Sequence, residues 1–131
     1  MKVIGIDHMV LNVKDIDKSL DFYNGILGME VLRQEEFRAG KVSFPSVRMS
    51  SQSIIDLFPR PEFSTDDGSR NLNHFCILVD PTDLEQISKD MEAKGVHVEG
   101  RYSTTRWGAQ GNGTSFYVQD PDGNTVEIKH Y

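Results

Sequence analysis

The chain runs twice through the same order of elements, and this repetition limits its possible folds more than any composition figure does. Ile6-Asp7-His8-Met9-Val10-Leu11 opens the first half, and Leu72-Asn73-His74-Phe75-Cys76-Ile77 opens the second. Each is a short apolar run with a histidine near its start. Each is followed by a segment with helical spacing, then by further strand-like stretches. The histidines stand 66 residues apart, about half of the 131-residue chain. Direct identity between the halves is low, so the repeat is one of architecture and not a short-period array.

Residues 4–13 predict a strand with Ile6, His8 and Val10 on one face and Met9, Leu11 and Val13 on the other. Asp15 fits an N-cap, Ile16, Leu20, Tyr23 and Leu27 form a helical stripe, and Gly28 fits the residue just past the helix end. Strands are expected at about 29–37, 42–49 and 53–58, with a turn at Gly40. In the second half the spacing predicts a strand from His74 to Val79 and a Thr82/Glu85 capping box. A helix on Leu84, Ile87 and Met91 follows, closed by Gly95. A strand near 97–102 and a glycine-rich loop through Gly108, Gly111 and Gly113 come next. Residues 114–119 and 125–130 form a hairpin around Asp120-Pro121-Asp122-Gly123-Asn124.

The order is βαβββ twice, in half-modules 1–58 and 72–131 joined by a polar, turn-rich connector at 59–71, all within a single domain. Each half has strands with two apolar faces but only one helix, so one sheet face of each lacks a cover. The expected solution is an α+β fold. Two βαβββ modules form one cupped mixed sheet, with helices on the outer face.

Charge and composition narrow the partners. A net charge of −6 argues against nucleic acid or an anionic membrane surface as the main partner. No apolar stretch is long enough to span a bilayer, and Met1-Lys2-Val3-Ile4-Gly5-Ile6 lacks the h-region of a signal peptide. The lone cysteine, Cys76, reads as a small buried hydrophobe in a reducing, cytoplasmic setting.

Two acids match in position between the halves: Asp56 in Ile54-Ile55-Asp56-Leu57-Phe58, and Glu127 in Thr125-Val126-Glu127-Ile128-Lys129. An acid inside an apolar strand is costly unless it is paired, hydrogen-bonded or bound to a metal. If the halves pack symmetrically, His8 and His74 converge. Two imidazoles with one or two carboxylates then make a ligand set for a divalent metal ion, with Zn, Mn, Fe, Co and Ni all fitting. Against this, a strand histidine is often a satisfied core residue, and Asp56 is also explained as the polar half of an amphipathic strand.

The chain resembles the vicinal oxygen chelate superfamily, which includes glyoxalases, extradiol dioxygenases, fosfomycin-resistance proteins and bleomycin-resistance proteins. The resemblance covers nearly the whole chain. It rests on residues 6–13, on Ser19-Leu20-Asp21-Phe22-Tyr23-Asn24-Gly25-Ile26-Leu27-Gly28-Met29-Glu30-Val31, on the His74 strand, and on 116–128 from Phe116-Tyr117 to Glu127-Ile128. It implies metal ligation by His8, His74 and Glu127. Asp56 stands where glyoxalases carry a fourth ligand, a glutamate, and is one methylene shorter. The shared chemistry is a substrate bound to the metal through two neighbouring oxygens.

The branches separate on individual residues. Glutathione-dependent glyoxalases carry an arginine four residues after the first histidine, where this chain has Asn12. For extradiol dioxygenases, Phe116-Tyr117, Asp120-Pro121, Gly123 and Glu127 match the signature, with Tyr117 as the catalytic hydroxyl. The signature's proton-transferring histidine is missing, and Gly108, Ala109 and Gln110 fill that region. No potassium loop or phosphonate-binding basic cluster supports a fosfomycin transferase. A bleomycin-resistance-like binding protein needs no catalytic metal, and the presence of both histidines argues against that reading. The expected protein is a cytoplasmic homodimeric enzyme with glyoxalase-like lyase or isomerase chemistry, and a dioxygenase is the alternative. Tyr117 and Glu127 are the expected catalytic residues. Arg48 and Trp107 are expected substrate contacts, with Arg106 also placed to meet an anion. His97 and His130 read as surface residues.

Overall fold

A computed structural model describes residues 1–26, 28–63, 70–119 and 125–131. Along the described chain run β1 (Val3–Val13), α1 (Ile16–Leu20) continuing into a π-helical turn (Asp21–Ile26), β2 (Val31–Leu32), α2 (Gln34–Arg38), β3 (Ser46–Ser50) and β4 (Ser53–Pro59). Then come β5 (Leu72–Val79), α3 (Leu84–Ala93), β6 (Val98–Gly108), β7 (Gly111–Gln119) and β8 (Thr125–His130). The chain divides into two compact units: Met9–Asn73, and Met1–His8 together with His74–Tyr131. β1 contributes its end to the first unit and its start to the second.

In the unit Met9–Asn73 the strand order is β2-β3-β4-β1. Asp15 caps α1 by accepting from the Lys18 N–H, as its position at the helix start requires. Leu20 packs with Val13, Val47, Ile55 and Leu57 in the core. Beyond Leu20 the helix widens into the π-helical turn, where plain helical spacing was expected; Leu27 lies outside the described residues. Gly28 has φ +71, the left-handed value expected of a residue closing a helix. The expected strand over 29–37 is only two residues long. Arg33 takes the left-handed region (φ 63), which turns the chain out of the ladder. Gln34-Glu35-Glu36 are good helix formers, and the two glutamates sit at the positive end of α2. β3 begins only at Ser46, directly after Pro45, whose nitrogen has no proton for a ladder.

In the other unit the order is β1-β5-β8-β7-β6, with β5 and β8 parallel and β8, β7 and β6 successively antiparallel. The pairing is therefore mixed and the class α+β, as the residue pattern implied. Asp83, not Thr82, caps α3, accepting from the Gln86 N–H. Gly95 (φ 82) ends it. Phe116 and Val118 meet Ile128 and Val79 beneath Leu84 of α3 to form the core. Strand alternation then sends the intervening residues to the opposite face. There Ser115 is registered with Lys129, Tyr117 with Glu127, and Glu127 with Cys76 of β5.

The glycine-rich segment is a tight hairpin and not a loop: Gly108 pairs with Gly111 across Ala109-Gln110. The hairpin comes too close to its neighbours to carry a side chain. A Cβ on Gly108 would lie 2.4 Å from Asp7 Oδ2, 2.5 Å from the Tyr131 hydroxyl and 2.8 Å from Lys129 Cε. The expected turn at 120–124 lies outside the described residues. Gly108→Ala is expected to cost about 1–3 kcal/mol in urea unfolding, the usual penalty for overpacking. Gly5→Ala, whose Cβ meets nothing within 4 Å, should stay within about 1 kcal/mol of wild type.

Candidate metal centre

Three strands of one unit bring three side chains to a point. His8 comes from β1, His74 from β5 and Glu127 from β8, and all three are buried. His8 Nε2 lies 2.9 Å from Glu127 Oε2, His74 Nε2 lies 3.3 Å from the same oxygen, and the two Nε2 atoms are 3.3 Å apart. The rings meet edge to face, with centroids 5.3 Å apart.

A surrounding layer of polar groups fixes two of these side chains. Asp7 Oδ2 is 2.7 Å from His8 Nδ1 and also accepts from the Ala109 N–H at 3.1 Å. Asp7 Oδ1 accepts from the Tyr131 hydroxyl at 2.6 Å, and that hydroxyl accepts from the Gln110 N–H at 3.0 Å. The hairpin turn and Tyr131 thus hold the carboxylate that orients His8. On the other side, Ser115 Oγ donates to Glu127 Oε1 at 2.6 Å. Lys129, with 0% of its surface exposed, donates to the carbonyls of Arg106 at 2.8 Å and Trp107 at 3.0 Å and lies 3.5 Å from Glu127 Oε1.

The electrostatics follow from these contacts. Burial disfavours a charged His8, but the hydrogen bonds to Asp7, Cys76 and Glu127 outweigh it and lift its pKa to about 12. Burial would raise Glu127, yet the bonds from His74 and His8 and the nearby Lys129 hold its carboxyl far below the usual range. Asp7 is also lowered, as hydrogen bonds from His8, Tyr131 and Ala109 overcome its desolvation. Burial and then the Glu127 charge push the Tyr117 hydroxyl up, so it keeps its proton.

These donors fit a divalent ion. For bonds of about 2.1 Å, separations of 2.9–3.3 Å subtend about 85–105° at the ion. That range suits three adjacent positions of an octahedral or a tetrahedral site. With Nδ1 of His8 turned to a carboxylate, Nε2 is the nitrogen presented to the centre, the usual arrangement for a metal-bound imidazole.

Among the described residues, His8, His74 and Glu127 form one group able to hold an ion, and Asp7, His8 and Cys76 form another. Tyr117 stands beside the first group, its ring edge-on to His74 with centroids 5.2 Å apart and the Arg106 guanidinium 4.6 Å from its centroid. Trp107 is in β6, where its carbonyl holds Lys129. Asp56 and Arg48 belong to the other unit. Asp56 Oδ1 accepts from Ser46 Oγ at 2.5 Å, and Arg48 Nη1 lies 3.5 Å from the Ser50 carbonyl. His97 is exposed and His130 half-buried. Asp7, Ser115, Lys129 and Tyr131 were missed by sequence reasoning. Lys129 carried a usable signal, since it lies two positions from Glu127 and shares its strand face. Asp7 and Tyr131 meet across 124 positions of sequence and carried none.

His8 holds its proton more tightly folded than unfolded. The stability this contributes is complete below the unfolded value of 6.5 and is lost as pH rises toward 12. In chelator-treated protein, the stability margin of wild type over His8→Gln should therefore shrink as pH rises above about 6.5 toward pH 9. Urea titrations at those pH values check this, and a margin that grows with pH would contradict it.

Comparison with known proteins finds relatives over nearly the whole chain. Virulence protein STM3117 of Salmonella typhimurium is 31% identical over 126 residues, covering 96% of this chain and 83% of that protein. Lactoylglutathione lyase of Neisseria meningitidis is 26% identical over 126 residues, covering 92% and 86%. The crystal structure of the Mn(II)-bound glyoxalase from Novosphingobium aromaticivorans matches with a TM-score of 0.71 at 19% identity, over 98% of this chain and 39% of that one. Identity that low shows a shared fold. Residues 5–128 match the family as well, so the chain belongs to the Glyoxalase/Bleomycin resistance protein/Dioxygenase superfamily.

Proposed function

We propose that this protein is a metal-dependent enzyme acting on a small substrate through two neighbouring oxygens, with glyoxalase-like lyase or isomerase chemistry. The observation that carries this reading is the convergence of His8 Nε2, His74 Nε2 and Glu127 Oε2 within 3.3 Å of one another. A divalent ion held there supplies Lewis acidity to the substrate oxygens. The chain's residues do the rest. Asp7 keeps His8 Nδ1 engaged, so that Nε2 faces the centre. Tyr117, registered across from Glu127 and edge-on to His74, is the proton donor at the substrate. Trp107 is the substrate contact this unit offers. The reading does not depend on Asp56 or Arg48, which lie in the other unit. A lactoylglutathione lyase among the relatives supports the lyase branch.

An extradiol-type dioxygenase is the second reading. It is favoured by Tyr117 standing beside a two-histidine, one-carboxylate set, which suits Fe²⁺. Within the same proposal the protein is cytoplasmic and homodimeric, symmetric dimers being the commonest oligomers. A monomeric mass by light scattering would remove the dimer.

Titration with Fe²⁺, Mn²⁺, Ni²⁺ and Zn²⁺ tests the function. His8→Ala and His74→Ala should each weaken binding by about 100-fold or more, and Asp7→Asn, which keeps the ligands but alters the tautomer's partner, by about 10- to 100-fold. Turnover of 2-oxoaldehyde adducts with Ni²⁺ or Zn²⁺ favours the lyase branch. Oxygen uptake with catechols in the Fe²⁺ form favours the dioxygenase. If no metal binds in a way that depends on these histidines, the protein is a binding module instead.

A further inference from the structure

The two oxygens of Glu127 have different surroundings. Oε2 faces the two imidazoles at 2.9 and 3.3 Å. Oε1 faces the other way, accepting from Ser115 Oγ at 2.6 Å, with the Lys129 ammonium 3.5 Å off. Carboxylates ligate metals through one oxygen or through both, and nothing in an isolated glutamate chooses between the two modes. Here the choice is built into the sheet. Ser115 and Lys129 are registered opposite each other on β7 and β8, on the strand face that carries Glu127. Lys129 is itself held by two backbone carbonyls at the end of β6, so its ammonium cannot follow Glu127 if the carboxylate swings inward. Both Ser115 and Lys129 are fully buried, so water does not replace them as partners of Oε1.

We infer that Ser115 and Lys129 are positioning residues that make Glu127 a one-oxygen ligand. This rests on the metal-binding reading above and deepens it. A six-coordinate ion held by His8, His74 and one oxygen of Glu127 keeps about three positions open, and a two-oxygen Glu127 would leave about two. The third position lets a substrate occupy two neighbouring sites while a small ligand such as water keeps its own. Ser115 and Lys129 therefore set how many small molecules the centre handles at once, although neither touches the ion.

The test is a Mn²⁺ titration of the full chain, with bound waters counted by water-proton relaxation and electron spin-echo spectroscopy. Wild type should show about three waters per bound Mn²⁺, and the Ser115→Ala/Lys129→Met double variant about two, with Mn²⁺ affinity kept or raised as Oε1 turns inward. Loss of packing alone would lower the unfolding temperature without changing the water count. Should the double variant fail to fold, Ser115→Ala alone keeps the lysine's backbone contacts and should still give a count below wild type. About two waters in wild type, or an unchanged count in every folded variant that binds Mn²⁺, overturns the inference. No Mn²⁺ binding by wild type overturns the metal reading itself, and the inference with it.

Discussion

The structure depends on a set of charges taken out of water together. Asp7, Glu127 and Lys129 are almost completely buried, and His8 bridges the two carboxylates through its two nitrogens. Each of these groups alone inside a sheet would be strongly destabilising. Together they are tolerable only because every partner is in place: Tyr131 and the Ala109 N–H for Asp7, Ser115 for Glu127, and two backbone carbonyls for Lys129. A hydrophobic replacement of equal volume would serve stability as well or better.

The sheet does the placing. The parallel pairing of β5 with β8 sets Cys76 beside Glu127, two residues on from His74. The antiparallel pairing of β8 with β7 then adds Ser115 and Tyr117 on the same face. The opposite face of the same strands is apolar and packs beneath α3. One alternation thus supplies both a core and a polar site, and a one-residue slip in any of these strands would exchange them. The glycines of the β6–β7 hairpin have the same logic. Gly108 is small because Asp7, Tyr131 and Lys129 already fill the space a side chain would take.

Much of this was legible in advance. The doubled order of elements, the strands around His8, His74 and Glu127, and the α3 stripe all follow from local periodicity. Where the structure departs from the pattern, the cause is local and small. The left-handed Arg33 and the helix-forming Gln34-Glu35-Glu36 turn an expected strand into a short helix. Asp83 outcompetes Thr82 as a cap because its carboxylate reaches the Gln86 N–H. The glycines at 108 and 111 looked like a loop because sequence composition does not distinguish a flexible segment from a hairpin pressed against its neighbours.

By itself the amino-acid sequence determined the class of elements, the repeat, and the residue types able to hold a metal, because those depend on spacing along the chain. Only the tertiary structure decided which partners each buried charge receives. Tyr131 reaches Asp7, and Lys129 reaches the carbonyls at the end of β6, through contacts between residues far apart in sequence. It also decided that Asp56, which matches Glu127 in the repeat, is hydrogen-bonded to Ser46 within the other unit. Strand register and hairpin geometry set those pairings. They arise from cross-strand packing, which no single stretch of residues encodes.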